Sequence, residues 1–453
     1  MKKIIKLLVL TLALVLVCGS LFACNKDILE GPTGNTNTPG GNTNTPGNTD
    51  TPTGEKKKIT LTVWGAQEDQ EMLKAMCEAY AAANPQNEYK FLFGVQSEAD
   101  AADKVLGDVQ SGPDVYSFAS DQINKLYAGG ALARIGGDIE KNVKEINSAG
   151  SIDACTFNIN GEDQLYAYPM TGDNCYFVYY DKSVYTDPSQ LATLDSMLDV
   201  ANAAGKKVHF KLNDDGWYLS SFFFSNPNLG YKVTYDDAMV ETGVEINYNN
   251  ADGLKVMQSL KNYVNHDALV IQTDDSKIIA GFTPTAEGNV EIAAAVSGTW
   301  NAAAIKGLLG DNMGVIKLPT ANIGGEQVQL SGYMGYKLIG VNGYSQNKGE
   351  AHKLAQWLTN QQNQQKRFEI RGFGPTNKVV AESAAVLNDP VISVVMQQAQ
   401  YNRAQKGVPG NYWTPMGALI TPFITAKEEG TLLDISNETL QEYLDALVSQ
   451  ISK

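Results

Sequence analysis

Histidine is scarce: the 453-residue chain holds three, His209, His266 and His352, far apart in sequence. There is no HExxH, no Cys/His zinc spacing, no P-loop GxxxxGKS/T and no GxSxG. Hydrolytic metal chemistry, P-loop nucleotide hydrolysis and an esterase-type nucleophile elbow therefore lose their support, and no metal or other cofactor is called for. Basic charge is short as well, with 35 Lys+Arg against 50 Asp+Glu and a formal net charge of −15. That balance argues against nucleic acid as a partner, because phosphate-backbone binding needs Lys and Arg to displace counterions. It argues equally against adhesion to anionic lipid through a polybasic surface. Fifty carboxylates still leave room for a glycosidase pair. Five cysteines, three of them beyond the N-terminal region (Cys77, Cys155, Cys175), are no disulfide framework. Three free core thiols are the expectation, with a Cys155–Cys175 pair the alternative.

What is present at the N-terminus reads as export followed by a tether. Lys2, Lys3 and Lys6 precede an apolar run from Leu7 to Val17, and small residues follow it, the pattern of a secretory signal. The run is short of the roughly 20 residues that span a bilayer. Leu21-Phe22-Ala23-Cys24 is similar to a bacterial lipobox, so residues 1–23 read as a lipoprotein signal peptide and Cys24 as the lipidated residue. Its removal leaves 32 basic residues against 50 acidic, a charge of −18. Residues 24–55 contain a perfect duplication, Gly34-Asn-Thr-Asn-Thr-Pro-Gly40 and Gly41-Asn-Thr-Asn-Thr-Pro-Gly47. Gly, Asn, Thr and Pro bury too little apolar surface to offset ordering entropy, so this stretch is expected to be a disordered linker. About 30 such residues reach roughly 30 Å, suiting a domain held above a membrane.

From Lys56 onward strands and helices alternate. Ile59, Leu61 and Val63 alternate with Thr60 and Thr62 as in a strand. Met72, Leu73, Met76, Ala79 and Tyr80 recur at helical spacing until Asn84-Pro85. Tyr89 to Val95 reads as a second strand, Val105, Leu106 and Val109 mark a second helix, and Asp114 to Phe118 reads as a third strand. This order indicates α/β topology with parallel strands, whose ligands sit beyond the carboxyl ends. Trp64 to Asp69 and Phe118 to Gln122 are two such ends, and both carry polar groups instead of glycine-rich phosphate loops.

The order of landmarks resembles the extracellular solute-binding proteins of carbohydrate ABC importers, close to the maltose/maltodextrin-binding type. The landmarks are Leu61-Thr-Val-Trp64, Ser111-Gly-Pro-Asp-Val115, Gly130-Ala-Leu-Ala-Arg-Ile135, Tyr166-Ala-Tyr-Pro169, Tyr179-Tyr-Asp-Lys182, Val296-Ser-Gly-Thr-Trp300, Gly314-Val-Ile-Lys-Leu-Pro319 and Lys353-Leu-Ala-Gln-Trp-Leu358. The resemblance implies an α/β, two-lobe, periplasmic-binding-protein-like (type II) fold with discontinuous lobes and hinge crossovers. Lobe one would be 56–172 plus 328–376 and lobe two 173–327 plus 377–453. The crossovers would be Tyr166 to Gly172, Thr320 to Val328 and Gly374-Pro375-Thr376.

A neutral oligosaccharide has apolar ring faces that lie on aromatic rings and hydroxyl edges that need charged or amide partners. Trp217-Tyr218 follows the turn Asn213-Asp214-Asp215-Gly216, Trp300 follows Ser297-Gly298-Thr299, and Trp413 follows Val408-Pro409-Gly410-Asn411-Tyr412. By resemblance the three tryptophans occupy sugar-stacking positions of the second lobe. Ordinary core aromatics are the alternative, and Trp357, on a helical pattern, fits that alternative better. Asp121 takes the position of a family sugar-binding acid. Phe118 stands where the family has Trp, Gln122 where it has Arg, and Glu68 and Asp69 where it has an Asp-Lys pair. Asp173 lies near a family Glu. Tyr333 either lines the first lobe or packs in its core.

The resemblance implies an oligosaccharide ligand, α-glucan first, gripped as the lobes close and handed to ABC permease subunits driven by a separate ATPase. It also implies attachment to the membrane through the lipid on Cys24, on the outer face of the cell, without catalysis. A monomer is the default for such a clamp. A cell-surface glycosidase and a sugar-sensing or adhesion lipoprotein are the competing readings, as is the same importer role for another oligosaccharide.

Overall fold

Ile59, Leu61 and Val63 do point inward along the strand Lys57–Gly65, an inner strand of the first of two large sheets in this computed structural model. The structure describes residues 55–452. The expected signal peptide, Cys24 and the repeat-bearing linker as far as Gly54 lie outside the described residues.

In the first sheet, Lys57–Gly65 pairs in parallel with Asn87–Val95 and with Val115–Ala119. The long strand Tyr333–Val341 adds antiparallel to Val115–Ala119 and also pairs with Tyr168–Asn174. Its first residues pair with Arg403–Ala404. The helix Gln70–Ala83 packs Met72, Leu73, Met76 and Tyr80 inward and stops at Asn84, before the proline. The second sheet runs Leu269–Val270, Lys207–His209, Ile292–Ser297, Phe177–Asp181, Met313–Ile316, with its first three strands parallel. Each sheet has its own hydrophobic core, around Leu61, Tyr116 and Leu338 in one case and Val178, Phe222 and Leu260 in the other.

Two features connect the halves. Tyr168–Asn174 belongs to the first sheet and, two residues on, Phe177–Asp181 belongs to the second. Tyr333 starts a strand of the first sheet, yet its ring is buried in the core of the second. Thr320–Ile323 and Glu326–Gln329 form a hairpin whose Ala321 and Ile323 pack into that same second core. Another hairpin, Tyr231–Tyr235 with Glu241–Ile246, carries Met239 at its turn, and Met239 rests against the first core. Cys77, Cys155 and Cys175 are buried free thiols. Among the described residues, no helix is long and apolar enough to cross a membrane.

Candidate functional site

Three short helical turns follow three strand ends and carry the site. Gln67–Asp69 follows Lys57–Gly65, Ser120–Gln122 follows Val115–Ala119, and Thr299–Asn301 follows Ile292–Ser297. A strand buried on both faces must release its chain at the sheet edge, and a tight turn there brings polar side chains to the open end. Trp300 sits on the third turn. Gly298 makes room for it: a Cβ there would lie 2.0 Å from the six-membered indole ring.

The three tryptophans share one pattern. Trp217, Trp300 and Trp413 are partly exposed, while their neighbours Tyr218 and Tyr412 are buried in the second core behind them. Asp215 caps the Gly216–Phe223 helix by accepting from the Trp217 and Tyr218 amides, which fixes Trp217 in the first turn. Trp217 and Trp300 have ring centres 5.9 Å apart, tilted by 41°. Trp413 packs edge-on against Tyr333 at 5.2 Å. The buried Trp217 indole N–H has no protein acceptor. Flat rings backed by a firm aromatic layer are suited to apolar faces of a ligand.

Asp121 faces Trp413. Its Oδ2 accepts from the Trp413 indole N–H at 3.2 Å and its Oδ1 from Gln405 Nε2 at 2.9 Å. Gln405 Oε1 in turn accepts from Asn174 at the end of the connecting strand. Burial pushes the Asp121 carboxyl up to about 6, against the opposing pull of its own backbone amide, the Lys125 charge and the Trp413 and Gln405 donors.

The remaining sequence candidates divide. Glu68 is exposed on its turn. Asp69 is not an open hydroxyl acceptor: it is 5% exposed and bridges Arg367 at 3.2 Å and Arg371 at 2.9 Å. Phe118 is not a stacking platform, because its strand is covered on both faces and its ring is fully buried in the first core. Gln122 is an internal staple, with its amide accepting from Ala102 N and donating to Glu98 O and Ala99 O. Tyr218 lies under Trp217 in the core. Tyr333 packs in the second core, and its hydroxyl meets Tyr231. Asp173 is 1% exposed, and its Oδ2 has no hydrogen-bond partner.

Sequence reading missed the cations beside these acids. Lys337, on Tyr333–Val341, lies 3.6 Å from Glu98 and 5.9 Å from the centre of the Trp300 ring. Arg367 and Arg371 project from the helix Gln361–Arg371, which Gly372 ends in a left-handed turn with φ 70°. That turn places Phe373 against both Arg371 and Lys337. No short motif announces such a set, since its members come from strands and helices far apart in sequence. Among the described residues no group of His, Cys, Asp and Glu could hold a metal ion.

The pattern of the family described as bacterial extracellular solute-binding protein matches residues 75–393. The chain is 25% identical over 400 residues to the galactooligosaccharide-binding protein of Bacillus subtilis, covering 86% of this chain and 90% of that one. It is 24% identical over 349 residues to the maltotriose-binding protein of Pyrococcus abyssi, covering 75% and 72% respectively. Among solved structures, one determined with acarbose superposes with a TM-score of 0.73 at 30% identity, covering 87% of this chain and 98% of that one. The maltodextrin-binding protein of L. casei BL23, solved without ligand, superposes with a TM-score of 0.68 at 22% identity, covering 87% and 99%.

Proposed function

The chain belongs to the bacterial extracellular solute-binding protein family, and from that premise we propose that it captures maltooligosaccharides in the cleft between its lobes and delivers them to an ABC permease. The family binds solutes outside the cytoplasm and does not catalyse. The observation that carries the glycan reading is the set of three partly exposed tryptophans, two of them beside a buried tyrosine and the third against Trp217. Maltose, maltotriose or a longer α-glucan would lay ring faces on Trp217, Trp300 and Trp413. Its hydroxyl edges would meet Asp173 and Glu68, with Asp121 holding Trp413 in place. The lobes would comprise 56–172 plus 328–376 and 173–327 plus 377–453, with Tyr168–Asn174 among the connections. Sugar touching both lobes favours the closed arrangement, and the loaded monomer would dock on the permease.

Calorimetry against maltose, maltotriose, longer maltodextrins, and xylo- and galactooligosaccharides tests the reading. Trp217→Ala and Trp300→Ala are each expected to weaken binding by roughly 1–3 kcal/mol, the scale of ring stacking lost on truncation, with cooperative melting kept. Unchanged affinity in both variants would remove the site. A second reading is a galactooligosaccharide as the ligand, favoured by the likeness to the Bacillus subtilis protein over nearly its whole length. The same panel separates the two.

Attachment through Cys24 would hold the protein at the outer face of the membrane, two acyl chains being needed for stable anchoring. Cys24→Ser is expected to release the protein into the medium and abolish incorporation of labelled palmitate. Full membrane retention of that variant would contradict the anchor.

A further inference from the structure

Lys337 is placed unlike an ordinary structural lysine. It rises from the first sheet, yet its ammonium lies 5.9 Å from the ring centre of Trp300, which belongs to the second. Phe373 flanks it at 4.7 Å. Glu98 pairs with it ionically through Oε2 at 3.6 Å, longer than a hydrogen bond, while Glu98 Oε1 accepts from the Ser117 hydroxyl. Three N–H donors therefore sit between two aromatic rings with no protein acceptor in hydrogen-bond reach among the described residues. The charge persists there: burial disfavours it, but Glu98, Asp173 and Asp69 together hold the Lys337 pKa above its ordinary value.

Acceptors without a hydrogen-bond partner lie beside it. Thr171 pairs with Lys337 where the register of the two strands shifts, and Asp173, two residues further along, is close enough for its charge to act on the Lys337 ammonium. Asp173 is 1% exposed with Oδ2 unpartnered, and Thr171 Oγ1 is likewise buried without a partner. Three cations (Lys337, Arg367, Arg371) face three carboxylates (Asp69, Glu98, Asp173), so the set suits a neutral ligand with both donors and acceptors on one edge.

We propose that Lys337 is a specificity-determining residue of the cleft, its ammonium donating to a hydroxyl of the pyranose stacked on Trp300 while Asp173 accepts from the neighbouring hydroxyl. The pair reads a vicinal diol, which selects neutral sugars with both hydroxyls free on that ring. This rests on the glycan reading of the cleft.

The test is calorimetry with maltotriose and with β-linked galactotriose, followed by the monodeoxy analogues of whichever binds, on wild type, Lys337→Met and Lys337→Met/Glu98→Gln. The double variant removes the carboxylate that Lys337→Met strips of its ion-pair partner, so its melting temperature shows whether any loss is a folding defect. Both variants are expected to melt cooperatively and to bind at least about tenfold more weakly, the scale of one charge-assisted hydrogen bond. At one deoxy position wild type is expected to lose about tenfold, whereas Lys337→Met loses less than about twofold. A merely structural lysine would move stability without that selective insensitivity. Wild-type affinity in the folded variants, or equal sensitivity of both proteins at every deoxy position, overturns the inference alone. Failure of wild type to bind either trisaccharide overturns the glycan reading and the inference with it.

Discussion

Asp121 keeps its proton to a higher pH than an ordinary aspartate because burial withdraws its carboxylate from water, and this has a measurable sign. An aspartate in the unfolded chain ionises near 3.9. In the fold Asp121 ionises at about 6, with burial the largest cause. The folded state therefore holds that proton more tightly. Its stabilising contribution is full below about pH 4 and is lost as the pH rises through about 6, a difference of roughly 2–3 kcal/mol. The melting temperature of wild type minus that of Asp121→Asn is expected to fall across this window and to be flat above it; a flat difference throughout would contradict the burial argument. Residue by residue, the tryptophans stood out in sequence because each closely follows a Gly-containing turn, where a core ring is uncommon, and each is partly exposed in the first turn of a helical segment. It misplaced Phe118 and Gln122 for a physical reason. Val115–Ala119 is buried on both faces, so no alternation marks which side chain faces the cleft. The two ends of Gln122 are used by backbone groups about 20 residues away, which no local pattern records.

At the level of elements, the early strands and helices were legible because their signals are local. Period-two alternation marked Lys57–Gly65, helical spacing marked Gln70–Ala83, and a proline marked its end. The helix Ala251–Asn265 shows how closely such elements are fitted to their surroundings. Asn250 caps it by accepting from the Asp252 and Gly253 amides. A Cβ on Gly253 would meet the Tyr248 carbonyl oxygen at 1.7 Å, and backbone cannot step aside as a flexible side chain does. Gly253→Ala, although it favours helix in isolation, is expected to destabilise by about 3 kcal/mol, the upper end for overpacking. Chemical denaturation checks this, and a neutral or stabilising result would show that the cap can shift. The ionic set of Asp69, Arg367, Arg371, Glu98 and Lys337 was not legible, because its members come from a loop turn, a long helix, a loop and a distant strand. Their proximity is a property of the packed fold, in which the helix Gln361–Arg371 brings both arginines onto Asp69.

Across the whole molecule, the halves meet at contacts that need no sugar. Asn124 donates to the Tyr235 hydroxyl at 2.7 Å, joining a helix of the first half to the hairpin arm of the second. Met239, at the tip of that arm, packs against the first core. Lys406 donates to the carbonyls of Asp153 and Thr156, and Asp121 receives Gln405 and Trp413. Each such bond favours the arrangement in which Trp300 faces Lys337, so each contributes to affinity through the population of that arrangement and not through the ligand. Tyr235 is the cleanest place to measure this, because nothing assigns it a sugar contact. Tyr235→Phe keeps the ring and removes one interlobe hydrogen bond, worth about 1 kcal/mol net. If the unliganded protein divides between open and closed forms, affinity is expected to drop by up to about fivefold with the enthalpy of sugar contacts unchanged in the closed state. Small-angle scattering of the unliganded variant is expected to show a larger radius of gyration than wild type, and the two proteins should converge when saturated with sugar. Equal radii together with equal affinities would mean that the arm is a passive decoration and that closure is driven by the ligand alone.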